Sequence, residues 1–268
     1  MQPPTHTLQP IERQPWSPIG LRALFAKEVR RFAKVWLQTV FSPLITTSLY
    51  FLVFGVALGT RMGEIHGVPY IRFVIPGLMM LAMISNAFLN CSSSLFQSRI
   101  NGTITDILVS PLGTAELLGA FVGAGVLRGL IVGSLVWLVA AFFVSPDIHH
   151  AGWMLYFSVT VCLSFAMLGL AVACLAQKYD HLAIVPSFVL TPMTFLGGVF
   201  YSIDMLPEPW RSVSLANPML YMVNGLRYGL VGSSDVPILT AALAVLLLVT
   251  ASTTAAAWLL ARGRNLRT

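Results

Sequence analysis

Six long apolar stretches, separated by shorter polar segments, take up most of the chain. They lie near residues 38–58, 73–96, 117–144, 153–176, 183–201 and 238–260. Each is about long enough to cross the roughly 30 Å hydrocarbon core of a bilayer as an α-helix. The pattern therefore predicts an all-α, polytopic integral membrane protein with six transmembrane helices.

The composition favours one membrane domain over a large soluble core. Of the 268 residues, 56% are hydrophobic and only 10% are charged, and the mean hydropathy is +0.79. We expect a flexible cytoplasmic N-terminus over residues 1–16, an amphipathic interface helix over 17–37, a transmembrane domain over 38–260 and a basic cytoplasmic tail over 261–268. Prolines and scattered charge precede the first apolar stretch, so the first span is expected to act as the insertion signal.

The distribution of basic residues predicts the orientation, because Lys and Arg near helix ends are retained in the cytoplasm. Eleven of them fall in the N-terminal segment, the second and fourth loops and the C-terminal tail. The opposite loops hold Arg61, Arg72, Arg211 and Arg227. Both termini are therefore predicted to be cytoplasmic, and the net charge of +6 needs no nucleic acid to explain it.

The segment before the first span has the pattern of an amphipathic helix. Ser17 is the predicted N-cap and Pro18 the first helical residue. Apolar residues recur at helical spacing and form one face: Leu21, Leu24, Phe25, Val29, Phe32 and Trp36. The other face is basic. Such a helix can lie in the headgroup layer with its cations toward anionic lipid. The pattern is compatible with an anchor that only orients the first span and with a functional role in docking another protein.

The loop after the second span predicts a short helix from Thr103 to Val109. Thr103 is a candidate cap, Asp106 favours the positive N-terminal end, and Ile104, Ile107 and Leu108 share one face. Pro111 would end the helix, and Thr114 would cap the third span with Glu116 in its first turn. A projecting helix that an outside motor could push and an ordinary structured loop are both compatible with this pattern.

The outer loop from Ser202 to Pro237 is long and rich in apolar residues. Prolines break it into short pieces, which favours a re-entrant or interfacial helical hairpin. Trp210 and Tyr221 suit the headgroup layer, either as plain anchors or as the lining of an exit for a lipid or sugar.

Polar residues inside the predicted spans are few. Arg128 would cost about 2.5 to 3.5 kcal/mol near a helix centre, so it should face protein or water. Close helix packing around it is favoured by small residues at four-residue spacing, among them Gly125 and Gly129. A packed interface with Arg128 paired internally is favoured over a substrate-binding role. In the second span, Asn86 and Asn90 belong to a polar stripe that either lines a pathway or makes interhelical hydrogen bonds.

Several enzyme classes lack their motifs in this sequence. It has no H-E-x-x-H pair, no G-x-S-x-G turn and no G-x-x-x-x-G-K-[ST] phosphate loop. Acidic residues are missing from the centres of the spans, which weakens an ion-coupled carrier. If the protein pumps, its energy is expected to come from another chain.

Three segments carry a resemblance to a known family: Arg99 to Thr103 with Ser110-Pro111-Leu112, Thr191 to Phe200, and Leu206-Pro207 through Trp210 followed by Asn217-Pro218. Together they resemble the ABC-2-type permeases, the membrane subunits of ATP-binding-cassette exporters. The closest pattern is that of the bacterial branch that exports polysaccharides, nodulation lipo-oligosaccharides and some drugs.

The resemblance implies a subunit of the bacterial inner membrane that is not itself an enzyme and holds no catalytic, cofactor or metal site. Its implied partners are membrane lipid, a second permease copy, with spans one and five at the dimer interface, and two ATPase subunits that bind ATP and magnesium. The implied ATPase-coupling residues are Thr103, Ile104, Thr105, Asp106, Ile107, Leu108, Ser110 and Pro111. The pathway or exit candidates are Asn86, Asn90, Phe195, Phe200, Tyr201, Trp210 and Tyr221.

The expected function is outward movement of an amphipathic polysaccharide, glycolipid, lipid or drug. Two other classes remain open: a self-contained secondary transporter or integral membrane enzyme, and a membrane scaffold that transports nothing.

Overall fold

The computed structural model describes residues 17–58, 63–110, 112–144 and 148–262. The predictions made for residues 1–16, for Pro111 and for tail residues 263–268 lie outside this part of the chain, as does the side chain of Leu108. Within it the protein is predominantly helical, in agreement with the predicted fold class.

The α-helices are α1 Pro18–Lys34, α2 Trp36–Tyr50, α3 Tyr70–Ile100, α4 Thr103–Val109, α5 Thr114–Phe143, α6 Ala151–Leu175, α7 Asp180–Ile184, α8 Thr191–Phe195, α9 Trp210–Leu215, α10 Pro218–Val231 and α11 Ile238–Ala261. π-Helical turns extend α2 over Phe51–Leu58 and join α7 to α8 over Val185–Leu190, and a 3-10 turn covers Ile203–Met205. Strands β1 Glu64–Ile65 and β2 Val68–Pro69 form an antiparallel hairpin in which Glu64 faces Pro69 and Ile65 faces Val68.

Five helices of the described part are long and apolar enough to cross a membrane: Trp36–Gly55, α3, α5, α6 and α11. The fifth of the six predicted spans, residues 183–201, is helical only as far as Phe195. The continuous helical stretch of α7, the π-helical turns and α8 covers residues 180–195, or about 24 Å. Gly198, at φ +77°, lies in the turn that follows. The count of six full spans is therefore not confirmed.

α1 begins as predicted and ends earlier. The Ser17 hydroxyl accepts a hydrogen bond from the Gly20 amide at 3.3 Å, and Pro18 is the first helical residue. The helix stops at Lys34 because Val35 leaves the helical region, and Trp36 already belongs to α2.

α3 is the central helix, and α5 and α6 pack closely against it through glycines. A Cβ on Gly125 would lie 2.4 Å from the Cys91 sulfur, and one on Gly169 would lie 2.5 Å from the Phe88 carbonyl oxygen. Contacts this short leave no room for a side chain, so the glycines set the distance between the helices.

Gly125 and Gly129 of α5 both lie in close contacts of this kind. Gly129 faces Cys162 of α6, where an added Cβ would come within 2.7 Å of the sulfur. α1 packs against two further glycines of α5. Leu21 lies against Gly119, and Phe25 lies against Gly123. α1 thus runs beside the first half of α5.

We predict that Gly169→Ala destabilises the bundle by about 1–3 kcal/mol, because its methyl group would strike backbone atoms of α3 that cannot rotate away. Gly152→Ala on the same helix is the matched control, since no atom lies within 4 Å of its added Cβ. Thermal unfolding of the purified protein, followed by tryptophan fluorescence, should show a lower melting temperature for Gly169→Ala alone. Equal melting temperatures would contradict the packing described here.

Candidate coupling helix and translocation cleft

The helical bundle has two ends, the α4 end and the hairpin end. The α4 end contains α4 and the adjoining residues 97–113. The hairpin end contains β1, β2 and residues 196–237, and it lies at the opposite end of α3.

The N-cap of α4 lies one residue before the proposed cap, Thr103. Gly102 is the N-cap, with a left-handed φ of 73°, so Thr103 is not the cap that the sequence suggested. The Thr103 hydroxyl instead donates to the Ser98 carbonyl of α3 at 3.2 Å. This hydrogen bond ties the first turn of α4 to the end of α3.

One face of α4 is buried and the other is exposed. Ile104 and Ile107 are buried, whereas Thr105, Asp106 and Val109 are exposed, Val109 to 73%. After the helix, the Ser110 hydroxyl donates to the Ile107 carbonyl at 2.5 Å. The exposed face therefore combines an aliphatic side chain with a carboxylate.

Glu116 connects the α4 end to α1. Its Oε2 accepts a hydrogen bond from the Gly113 amide at 2.7 Å, and its Oε1 accepts one from the Ser17 amide. Gly113, rather than the predicted Thr114, is the N-cap of α5. A single buried carboxylate thus satisfies amides at the beginning of both α1 and α5.

Arg99 makes the corresponding contact with α6. Its guanidinium donates to the carbonyls of Ala173, at 3.5 Å, and of Ala176, and it lies 4.8 Å from the centroid of the Phe96 ring. A cation at the C-terminal end of α6 satisfies carbonyls that have no partner within the helix.

A cleft of about 270 Å³ lies between α2, α3 and α8. It is lined by Ser42, Pro43, Thr46, Thr47, Tyr50, Leu78, Leu81, Ala82, Ser85, Asn86, Thr191 and Phe195. Two of the proposed pathway residues, Asn86 and Phe195, meet here. The Asn86 amide donates to the Ala82 carbonyl of its own helix at 3.0 Å, so the wall offers small hydroxyl and amide groups beside aliphatic ones.

Four aromatic rings cluster toward the hairpin end of this cleft. Phe200 stacks on Phe54 at 4.3 Å and on Phe195 at 5.4 Å between ring centroids, and Tyr50 lies 6.0 Å from Phe200. The proposed exit residues Phe195 and Phe200 are therefore direct neighbours.

The remaining exit candidates lie elsewhere. Trp210 is 54% exposed on α9. The Tyr221 hydroxyl donates to the Leu215 carbonyl at 2.8 Å, and its ring lines a separate groove of about 630 Å³ between α10 and α11. Tyr201 is partly buried beside Gly198. The structure does not bring these three rings into the cleft.

Asn90 and Arg128 face each other across α3 and α5. Nη1 of Arg128 donates to Oδ1 of Asn90 at 3.5 Å. Asn90 is buried one helical turn beyond Asn86 but contacts α1 and α5 rather than the cleft. One guanidinium nitrogen of Arg128 therefore has a hydrogen-bond partner inside the protein.

The sequence also matches a known protein family. Residues 20–231 match the family described as ABC-2 type transporter. The chain belongs to the ABC-2 type transporter family. The inner membrane transport permease YadH of Escherichia coli K12 is 40% identical over 249 residues, which cover 93% of this chain and 97% of YadH.

More distant relatives of this ABC-2 permease are named nodulation protein J. The protein from Rhizobium leguminosarum bv. viciae is 25% identical over 78% of this chain and 82% of its own length. The nodulation protein J of Sinorhizobium fredii NGR234 is 26% identical over 81% of this chain and 82% of its own length. The ABC-2 permease is thus a multi-pass inner-membrane transport subunit, and family membership implies ABC ATPase subunits as partners.

The sequence analysis of the ABC-2 permease did not predict a structural role for Arg227. It counted this residue only as one of the basic residues of the outer loops. Its side chain is fully buried in α10, where Nη1 donates to Asn224 Oδ1 at 3.2 Å and lies 3.7 Å from Oδ2 of Asp235. Nη2 donates to the Gly198 carbonyl at 2.5 Å, and the guanidinium lies 3.7 Å above the Phe73 ring centroid. Asn224, three residues earlier on the same helix face, was the available sequence signal.

This contact set joins separate parts of the hairpin end. Asp235 also accepts the Ile203 amide at 3.1 Å, and the Asp235 amide donates to Asn224 Oδ1 at 2.9 Å. Desolvation lowers the pKa of Arg227 to about 10, against the opposing effect of Asp235, so the guanidinium stays protonated at neutral pH. The turn after α8 is therefore held by a charged side chain of α10.

We predict that Arg227→Met destabilises the ABC-2 permease by about 3–5 kcal/mol, because it leaves the buried Asp235 carboxylate without its cation. Arg211→Met is the control, since Arg211 and Asp204 form a pair that is about half exposed and worth about 0–1 kcal/mol. Thermal unfolding in detergent should separate the two variants clearly. Similar melting temperatures would show that the buried pair contributes little.

Proposed function

We propose that this permease is the membrane half of an exporter in which separate ATPase subunits drive two permease copies. The observation that carries the proposal is the exposed face of α4. Val109 on this face is 73% exposed, and Ile100 at the end of α3 is 64% exposed. Exposed aliphatic side chains at one end of a membrane protein suit a groove on a partner. With both termini in the cytoplasm, α4 would project toward that partner.

The hydrogen bonds around α4 supply a route for force. Thr103 ties α4 to α3, Glu116 ties the following loop to α1 and α5, and Arg99 ties α3 to α6. A push on α4 would therefore reach four helices as one body. Closure of two ATPases on ATP and magnesium would tilt the two copies between inward-open and outward-open arrangements.

The cleft between α2, α3 and α8 is the proposed pathway wall. Its mixture of hydroxyl, amide and aliphatic groups suits an amphipathic substrate such as a polysaccharide, glycolipid, lipid or drug. The cluster of Tyr50, Phe54, Phe195 and Phe200 would close the outer end until the copies separate. Trp210 and Tyr221 are assigned to interfacial anchoring, in helices proposed to be re-entrant.

We predict that Val109→Asp abolishes transport and weakens ATPase binding by about tenfold or more, because a carboxylate would be desolvated in an apolar contact. Val213→Asp is the matched control, as Val213 is an exposed aliphatic residue of α9 at the other end of the bundle. Tagged permease should be purified from native membranes in mild detergent and its complexes weighed intact. The wild type and Val213→Asp should co-purify with two ATPase subunits, whereas Val109→Asp should purify without them.

A wild-type permease that purifies without any nucleotide-binding subunit, or that transports alone in liposomes, would contradict the proposal and favour a self-contained carrier. Retention of the ATPase by Val109→Asp would show that α4 is not the contact.

We predict that a second copy packs against α2, whose aliphatic face is open. Ile45→Cys should form a disulfide between copies on mild oxidation, whereas Leu243→Cys on α11 should not, although the two side chains are 66% and 67% exposed. The native cysteines are buried and should not interfere. Electrophoresis under non-reducing conditions gives the readout. Crosslinking of Leu243→Cys alone would place the interface at α11 instead.

A further inference from the structure

A second polar site lies where α1, α3 and α5 meet. Nε of Arg31 is 3.0 Å from Oε2 of Glu28, and Nη2 of Arg31 donates to the carbonyl and Oδ1 of Asn90 at 2.9 and 3.0 Å. Ser94 donates to the same Glu28 oxygen, and Arg128 approaches Asn90 from α5. Glu28 and Asn90 are almost completely buried.

This site carries an uncompensated charge. Arg31 pairs with the Glu28 carboxylate, whereas Arg128 contacts only the neutral Asn90 amide, so the residues named above carry one positive charge in excess. Other cations of α1, among them Lys27 and Arg30, are exposed and take no part in these contacts. A partly buried charge without a counter-ion is unfavourable, so a bound anion would stabilise the arrangement.

Three buried polar atoms of the site have no hydrogen-bond partner among the described residues: Arg128 Nε, Asn90 Nδ2 and Glu28 Oε1. Two of them are donors and one is an acceptor. Buried polar groups are normally paired, so this set points to a ligand that accepts two hydrogen bonds and donates one. The Arg31 side chain is 26% exposed and Arg128 is partly exposed, which leaves a way in.

The position of the site along α3 suits contact with the inner lipid phosphates. Asn90 lies twenty residues after Tyr70, the first residue of α3. At 1.5 Å per residue that is about 30 Å, the thickness of the hydrocarbon core. On the proposed orientation, if the hydrocarbon core begins at Tyr70, Asn90 would lie at its inner boundary.

We propose that Arg31, Asn90 and Arg128 bind the phosphate of an anionic phospholipid of the cytoplasmic leaflet whose headgroup carries a hydroxyl, as in phosphatidylglycerol. Phosphate oxygens accept from Arg128 Nε and Asn90 Nδ2, and the headgroup hydroxyl donates to Glu28 Oε1. The lipid completes the contact of α1 with α3 and α5. This binding does not depend on which substrate is moved or on which ATPase drives it.

The test titrates the delipidated full-length protein in detergent with phosphatidylglycerol and counts bound lipid by native mass spectrometry. Asn90→Asp keeps the shape of the side chain and its accepted hydrogen bonds but supplies a built-in carboxylate. It should weaken phosphatidylglycerol binding about fivefold or more, because it removes the Nδ2 donor and places a carboxylate against the lipid phosphate. Arg30→Gln, which removes an exposed cation next to the site, should change the affinity little.

Two further arms sharpen the result. Phosphatidylcholine, with no net charge and no hydroxyl, should bind more weakly than phosphatidylglycerol. Inorganic phosphate at the same concentration should not displace the lipid, and displacement would overturn the lipid assignment in favour of a water-borne phosphate.

Equal binding of the two lipids, unchanged affinity in Asn90→Asp, or an equal loss in Arg30→Gln would each overturn the proposed site. Melting temperatures of the variants measured without lipid separate a lost site from a lost fold. If Asn90→Asp unfolds, Arg128→Gln replaces it, with the same expected loss of phosphatidylglycerol.

Discussion

Close packing of α5 and α6 on the central helix α3 is the interaction on which the rest of the structure depends. In a bilayer the lipid tails are as apolar as the side chains, so helices associate through van der Waals contact and hydrogen bonds rather than through the hydrophobic effect. Gly125 and Gly169 permit that contact by leaving space for a cysteine and for a backbone carbonyl of α3. The positions of the cleft and of α4 follow from it.

Polar side chains then fix both ends of this bundle. Glu116 and Arg99 satisfy amides and carbonyls at the α4 end, and Arg227 does so at the hairpin end. Each of them joins segments that are distant in the sequence. Movement of the short helices relative to the bundle would break these hydrogen bonds, so the helices are expected to move together with it.

Local patterns in the sequence predicted local features well. The start of α1 at Ser17 and Pro18 and the bounds of α4 at Thr103–Val109 agree with the structure, because both depend on nearby residues. Features that depend on tertiary contacts were harder to predict. The burial of Arg227 requires Asp235 and Gly198 to meet, and no helical periodicity contains that information.

The charged face of α1 shows the same limit. Its spacing predicted a basic surface, but Glu28 on that helix is buried against α3. The shortened segment ending at Phe195 is a related case, since apolar length alone suggested a full span. Asn86 and Phe195 were found to share a cleft only once α3 and α8 were placed beside each other.

The hydrogen bond from the Ser17 amide to Glu116 has a practical consequence for handling the protein. It fixes Ser17 beside Gly113 and Glu116, the residues that follow α4 in the chain and begin α5. A fluorescent protein or affinity tag fused before Ser17 would therefore begin next to the surface proposed for the ATPase. A label placed after Ala261 would follow α11 instead, whose described residues share no hydrogen bond with α4.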